Sequence, residues 1–442
     1  MIRSRQLREF TGVIQSSFNE FFQRSTSTGI TILVFTAIAL LWSNSPWQQL
    51  YATLLHQPIE IVFAKLHLHF TFEHFVNDGL MALFFLLVGL EIKREMVVGE
   101  LSSRQKALLP MIAAVMGMVG PATIYLFFNS GTTAARGWGV PVATDIAFAL
   151  GILALLGNRV PLGLKVFLAA LAIVDDLLAV LVIAIFYTAS LNMEMLLAAG
   201  LITSLLVLGN RLRINTIWFY AILGFALWVA VLFSGIHATI AGVVLALCIP
   251  ADARIDRVSF FTSARDLLDT ISRQKKSVED EGAQLDAIHA LEKLSEQVQS
   301  PLHRIEHALG RTVSFGIMPL FALVNAGVVI DPSLITSLMS PVSLGIILGL
   351  FLGKQLGITF AVWASVRFKI AVLPNGVSML QMYGVSLLCG IGFTMALFVA
   401  HLAFIDPRHL DIAKLSIIVG STISAIIGSV ILRSTLPKPL RT

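Results

Sequence analysis

Predominantly apolar stretches of about 15 to 28 residues recur along the whole chain, near 29–42, 75–92, 107–128, 138–157, 163–187, 191–209, 217–233, 235–249, 312–330, 341–363, 376–403 and 412–432. The hydrocarbon core of a bilayer takes about 20 residues of helix. Most of the stretches meet that length, and the short ones borrow from their flanks. Only 13% of the 442 residues are charged, against 56% hydrophobic, whereas a soluble domain carries about 25% charged residues. So few charges cannot cover the surface of a soluble fold, and the apolar excess must face lipid. The sequence therefore predicts an all-α polytopic membrane protein with twelve transmembrane helices. Soluble catalysis and nucleic-acid binding rank last, and no cofactor is called for.

An even number of spans puts both termini on one side. Of the 31 Lys and Arg, 26 fall on that side and four (Lys65, Arg136, Arg408 and Lys414) on the other, with Lys354 inside a span. Without the nine in the long segment from about 250 to 311, the count is 17 against four. Basic residues concentrate in cytoplasmic loops, so both termini are expected in the cytoplasm. Cys248 and Cys389 lie inside apolar runs with no second Cys or His at ligand spacing, which argues against a disulfide framework or a zinc site. About 28 residues precede the first apolar run, and Ser43-Asn44-Ser45-Pro46 after it lacks cleavage-site spacing. This reads as a retained first span rather than a signal peptide.

The expected organisation is eight spans in 1–249, a cytoplasmic amphipathic insertion at 250–311 and four spans in 312–442. From Ile59 to Phe72 the chain alternates loosely, most clearly at Leu66, His67, Leu68, His69 and Phe70. That is a period-2 strand signal. It fits an external hairpin that pairs with a second subunit, or a short amphipathic lid. In the insertion, Leu291, Leu294, Val298, Leu302, Ile305 and Leu309 form a helical stripe, either a surface helix resting on the bundle or a regulatory element.

Four ionisable residues lie deep within apolar runs: Asp145, Asp175, Asp176 and Lys354. Placing such a group at the centre of a membrane costs about 2.5 to 3.5 kcal/mol even on lenient insertion scales. Each lies on the order of 12 to 20 Å from the start of its span, so three spans bring charge to one depth. One Asp and one Lys could form a structural salt bridge. Three carboxylates against one amine do not cancel, and the leftover acid must hold a proton or a cation. Asp175 and Asp176 are adjacent, roughly 100° apart on a helix, so one can line a cavity while the other packs against a partner helix.

The fourth span opens Gly137-Trp138-Gly139-Val140-Pro141-Val142-Ala143-Thr144-Asp145, where proline removes a donor and disfavours helix before it. The eleventh has a comparable weak point at Cys389-Gly390-Ile391-Gly392-Phe393-Thr394. Interrupted spans in the two halves point to a transporter site at an inverted-repeat interface, and both spans are expected to be interrupted helices. His237, near the external end of its span, reads as a satisfied polar contact or a titrating group. Asp78 lies at the external end of the second span, with Glu91 and Glu95 at its cytoplasmic end beside Lys93 and Arg94. These read as interfacial charges or as ion funnels.

Six segments together resemble the NhaA-type sodium/proton antiporters: Phe84 to Glu95, Ala143 to Ala149, Leu171 to Asp176, Ser234 to Thr239, Pro319 to Gly327 and Gly390 to Met395. The resemblance runs in order over almost the whole chain. It implies a bacterial inner-membrane antiporter that exports sodium or lithium in exchange for protons, with crossed, interrupted fourth and eleventh spans. It further implies that Asp175 and Asp176 are the ion and proton carboxylates, that Thr144 and Asp145 lie at the break in the fourth span, and that Asp145 offsets half-helix amide ends. Lys354 is implied to offset the opposing carbonyl ends and to pair with a carboxylate. The segment 59–72 looks like the family's external hairpin, which favours a homodimer. Ile305-Glu306-His307-Ala308-Leu309 resembles the family's pH-sensing entry, with Gly310-Arg311-Thr312 in place of the usual His-Pro-Trp. The insertion is longer than in the best-known members.

Two rivals remain open at this level. An intramembrane aspartyl protease would need one Asp on each of two facing helices, which Asp145 and Asp175 could supply. A nearby Lys argues against it, because the cation would hold one acid ionised when the pair must share a proton. A sodium-coupled solute symporter would fit the same architecture.

Overall fold

The computed structural model describes residues 27–63, 66–188, 191–253, 255, 257–273 and 278–436. Lys65, and the terminal basic residues that entered the charge count from before Ser27 and after Leu436, lie outside the described residues. The chain is almost entirely helical. After α1 (Ser27–Ser43) and α2 (Gln48–Leu55), bent 116° apart, come two strands and then α3 (Phe72–Val97) and α4 (Arg104–Asn129). A 3-10 segment at Thr133–Val142 leads into α5 (Ile146–Leu155), followed by α6 (Leu162–Phe186), α7 (Met193–Arg211), α8 (Ile217–Ser234) and α9 (Ile240–Cys248). Next come α10 (Arg257–Arg273), α11 (Val278–Val298), α12 (Pro301–Asn325) and α13 (Pro341–Arg367). The last three are α14 (Met379–Leu388), α15 (Phe393–Ala403) and α16 (Pro407–Thr435). Among the described residues nine helical segments are long and apolar enough to cross a membrane, and the bent pairs α1–α2 and α14–α15 each pass the same test jointly, which makes up to eleven. At nine residues, α9 is too short to cross alone.

Local chemistry sets the ends. Ser103, Ser300, Ser340 and Ser378 each accept a hydrogen bond from the N–H of the third residue of the helix that follows, and Asp406 accepts from the N–H of Arg408. Capping of this kind satisfies donors that the first turn cannot pair internally. Pro301, Pro341 and Pro407 open their helices, where a missing N–H costs nothing.

Large apolar side chains such as Leu41, Phe127, Leu197 and Trp218 are exposed on the outside of the bundle, as lipid-facing residues are. Where α4 meets α13, no side chain intervenes. A Cβ on Gly120 would sit 2.5 Å from the Gly353 carbonyl oxygen, and one on Gly357 would sit 2.2 Å from that of Met116. Such close backbone approach is the usual packing solution between helices in lipid, and it draws Lys354 into the centre. A π turn at Gly349–Gly353 directly precedes that lysine.

The strands β1 (Pro58–Phe63) and β2 (Leu66–Thr71) pair antiparallel, with Ile59 opposite Phe70 and Glu60 opposite His69. The apolar stripe of the insertion does not lie on one helix. Gln299 and Ser300 separate α11 from α12, because Pro301 disfavours helical geometry in the residue before it. Leu302 is buried in an apolar cluster with residues of α3, α8 and α9, and Ile305 and Leu309 pack against the same cluster, while Leu291, Leu294 and Val298 stay half-buried on α11. α12 also runs through the expected segment boundary at 311/312.

Candidate functional site

Residues 143–145 make no helical pairing: Ala143 and Asp145 both have extended backbone. Residues 389–392 likewise separate α14 from α15, which are bent 48° apart. The two breaks bond to each other. Asp145 N–H donates to the Ile391 carbonyl at 2.7 Å, and the Thr144 hydroxyl donates to the Cys389 carbonyl at 2.9 Å. Backbone polar groups freed at membrane depth are tolerated only when paired inside the protein or lining a cavity, and here each break supplies the other's partners. The Ser421 hydroxyl accepts from the N–H groups of Gly392 and Phe393, both at 3.2 Å.

Asp145 is the N-cap of α5. Its Oδ1 accepts from Phe148 N–H at 3.1 Å, and its Oδ2 accepts from Thr394 N–H at 3.1 Å and from the Thr394 hydroxyl. The carboxylate thus sits between the amino ends of α5 and α15, where two helix dipoles present partial positive charge. Thr394 belongs to the weak point of the eleventh apolar run, but no residue spacing assigned its hydroxyl to Asp145.

Asp175 and Asp176 lie midway along α6, 1% and 2% exposed. Lys354, fully buried, donates to both oxygens of Asp175, at 2.9 and 2.7 Å. Asp176 faces elsewhere: with Asp145 it lines a cavity of about 410 Å³ whose other walls include Phe84, Met318, Met395, Glu91, Arg94, His303, Glu306 and His307. Among the described residues no hydrogen bond reaches the Asp176 carboxylate. The charge balance follows. Lys354 answers Asp175 and two helix ends answer Asp145, which leaves Asp176 facing the cavity.

A sequence profile of the family described as Na+/H+ antiporter 1 matches residues 19–432. The chain belongs to this Na+/H+ antiporter family. It is 47% identical to the Na+/H+ antiporter NhaA of Oleidesulfovibrio alaskensis over 95% of this chain and 94% of that one. Identity is also 47% to NhaA of Koribacter versatilis, over 95% of this chain and 92% of that one, and 45% to NhaA 2 of Syntrophotalea carbinolica, over 95% and 96%. The family is one of membrane transporters, not catalysts.

Other charged residues of this antiporter-family chain divide by position. Glu91, Glu306 and His307 line the same cavity as Asp176, and Arg94, also on its wall, pairs with both Glu306 and Glu95. Glu95 stands behind that pair rather than on the cavity wall. Arg94 and His303 join the group although charge pattern alone had not singled them out. His237 lies elsewhere, its Nε2 2.9 Å from the Tyr187 carbonyl oxygen. Asp78 sits toward the far end of α3, outside the cavity, its backbone carbonyl accepting from Trp228 Nε1 at 3.0 Å.

Proposed function

We propose that the protein exchanges sodium or lithium for protons across a bacterial inner membrane, in twelve spans with both termini cytoplasmic, and so supports sodium and pH homeostasis. The observation that carries this reading is the division of labour between neighbours: Asp175 is held by Lys354 while Asp176 faces a cavity. A buried carboxylate open to a cavity can be neutralised by a proton or by a small cation, and competition between the two couples their movements. Sodium would bind at Asp175 and Asp176, with Thr144 and Asp145 at the interrupted fourth span completing the neighbourhood. Asp145 and Lys354 compensate charge at the crossing of the fourth and eleventh spans, which we read as equivalent elements of two inverted repeats. Glu91, Glu95, Glu306 and His307 form the cytoplasmic funnel and respond to pH. Asp78 and His237 stand toward the external side. The hairpin 58–71 joins two copies into a homodimer, since an isolated two-stranded hairpin is marginal and leaves unpaired edges.

The site chemistry favours this over proteolysis. Asp145 already accepts three hydrogen bonds and Asp175 a bidentate lysine, so the two do not form a proton-sharing dyad. Sodium-induced dequenching of a pH dye in proteoliposomes, at several external pH values, tests the reading. No dequenching, with sodium-dependent uptake of an organic solute instead, would make the protein a symporter.

A further inference from the structure

Among the described residues, those lining the cavity that reaches Asp176 include none from the start of α3 or the end of α15. Beyond Met318 and Met395, the rings of Phe85, Phe321 and Phe398 pack together, with Phe398 5.4 Å from Phe85 and 6.2 Å from Phe321, and none is more than 1% exposed. Past this plug, Glu73 at the start of α3 meets His401 near the end of α15, Oε1 to Nε2, at 3.2 Å. Lys414 and Asp411 of α16 face the same pair, and His56 at the end of α2 faces Glu73.

The chemistry of this contact is specific. His401 Nδ1 lies 3.0 Å from the Leu397 carbonyl oxygen and Nε2 lies against the Glu73 carboxylate. Both neighbours are acceptors, so a neutral imidazole with a single N–H can satisfy only one of them. The contact is complete as imidazolium with carboxylate, or as neutral imidazole with a protonated Glu73. Either way it holds one proton. With that proton the local set of Glu73, Asp411, Lys414 and His401 is neutral in total; without it, a carboxylate faces a lone pair.

The contact also joins two differently packed groups. α3 packs chiefly on α9, whereas α15 packs on the 3-10 segment and on α16. On α15, Thr394, Phe398 and His401 are spaced by four and three residues and so share one face. One helix face therefore holds Asp145, plugs the passage and reaches Glu73.

We infer that Glu73 and His401 form a proton-held latch which keeps the external side shut, and that loss of the latch proton to the external medium frees α15 to open the passage to Asp176. This rests on the orientation proposed above. The test is labelled-sodium exchange in oriented proteoliposomes, with pH varied on one side at a time, for the unmodified protein, Glu73→Gln, His401→Gln and the double variant. External pH is stepped from acid to alkaline across the range in which the protein is active. The unmodified protein should gain about tenfold in rate as external pH rises through that range, the scale that one charge-assisted hydrogen bond sets. Each single variant should lose most of that gain, the double variant should lose no more than either, and the response to cytoplasmic pH should be retained in all. Glu73→Gln, nearly isosteric, carries the test if His401→Gln does not fold. External profiles identical in all four proteins, or equal changes on both sides, overturn the latch. A loss confined to the cytoplasmic profile keeps the latch and overturns the orientation.

Discussion

Lys354 Nζ lies within 2.9 Å of both carboxylate oxygens of Asp175, while the next residue, Asp176, turns its carboxylate into the cavity. Adjacent residues on one helix thus occupy opposite electrostatic situations. One carboxylate is already neutralised by an ammonium, and the other has only the cavity and its contents.

That difference separates two substitutions of the same chemistry. Asp176→Asn removes that carboxylate's charge from the cavity and leaves no buried group without its partner, so exchange should be lost with little change in melting temperature. Asp175→Asn strands a buried ammonium, which costs on the order of 3 to 5 kcal/mol when one partner of a buried pair is removed. Exchange should be lost together with a clear drop in thermal stability. Flux in proteoliposomes and melting of the purified protein check both outcomes. Exchange at the unmodified rate in either variant would remove that residue from the site.

Lys354→Ala leaves Asp175 buried beside an empty space and should be destabilising on the same scale. Combining it with Asp175→Asn should recover part of the loss, because the double variant leaves no isolated charge. A double variant as unstable as the sum of the singles would mean that the two residues act independently.

Exchange should be electrogenic, with two protons entering for each sodium exported, and its voltage dependence checks this. If two protons enter per sodium exported, the Asp175–Lys354 pair must open during the cycle and one net positive charge moves inward. An inside-negative potential of 100 mV then adds about 2.3 kcal/mol for sodium export, and each unit of pH gradient about 1.4 kcal/mol per proton. If the pair stays closed, only Asp176 changes protonation and exchange is neutral. Sodium flux at equal pH on both sides, under potassium and valinomycin potentials of either sign, distinguishes them, and a flux that reverses sensitivity with the sign supports two protons.

Thr394→Val removes the hydroxyl donor to Asp145 without changing side-chain volume. A carboxylate between two helix ends then loses one of three donors. Stability should fall by about 1 to 3 kcal/mol, and exchange should slow without being abolished. Thr394→Ser keeps the donor and should restore both. Failure of serine to restore either would show that the methyl group, not the hydroxyl, matters at this position.

The helical, membrane-spanning character of the chain was legible in the sequence, because lipid cannot hydrogen-bond a backbone and an apolar run long enough to cross it must be helical. The same expense of burial marks Asp145, Asp175, Asp176 and Lys354 by their positions within apolar runs alone. Pairing was not legible. Asp175 and Asp176 are chemically identical neighbours, and only the approach of α13 to α4 through Gly120, Gly353 and Gly357 decides that Lys354 reaches the first. The bond from Thr394 to Asp145, 249 positions apart, likewise exists only because two non-helical segments lie side by side. The stripe that looked continuous from Leu291 to Leu309 is divided at Ser300 by Pro301. Sequence carries the cost of placing a group in the membrane, since that depends on its own chemistry and depth. Which partner offsets the cost depends on distances between segments far apart in the chain, and packing alone sets those distances.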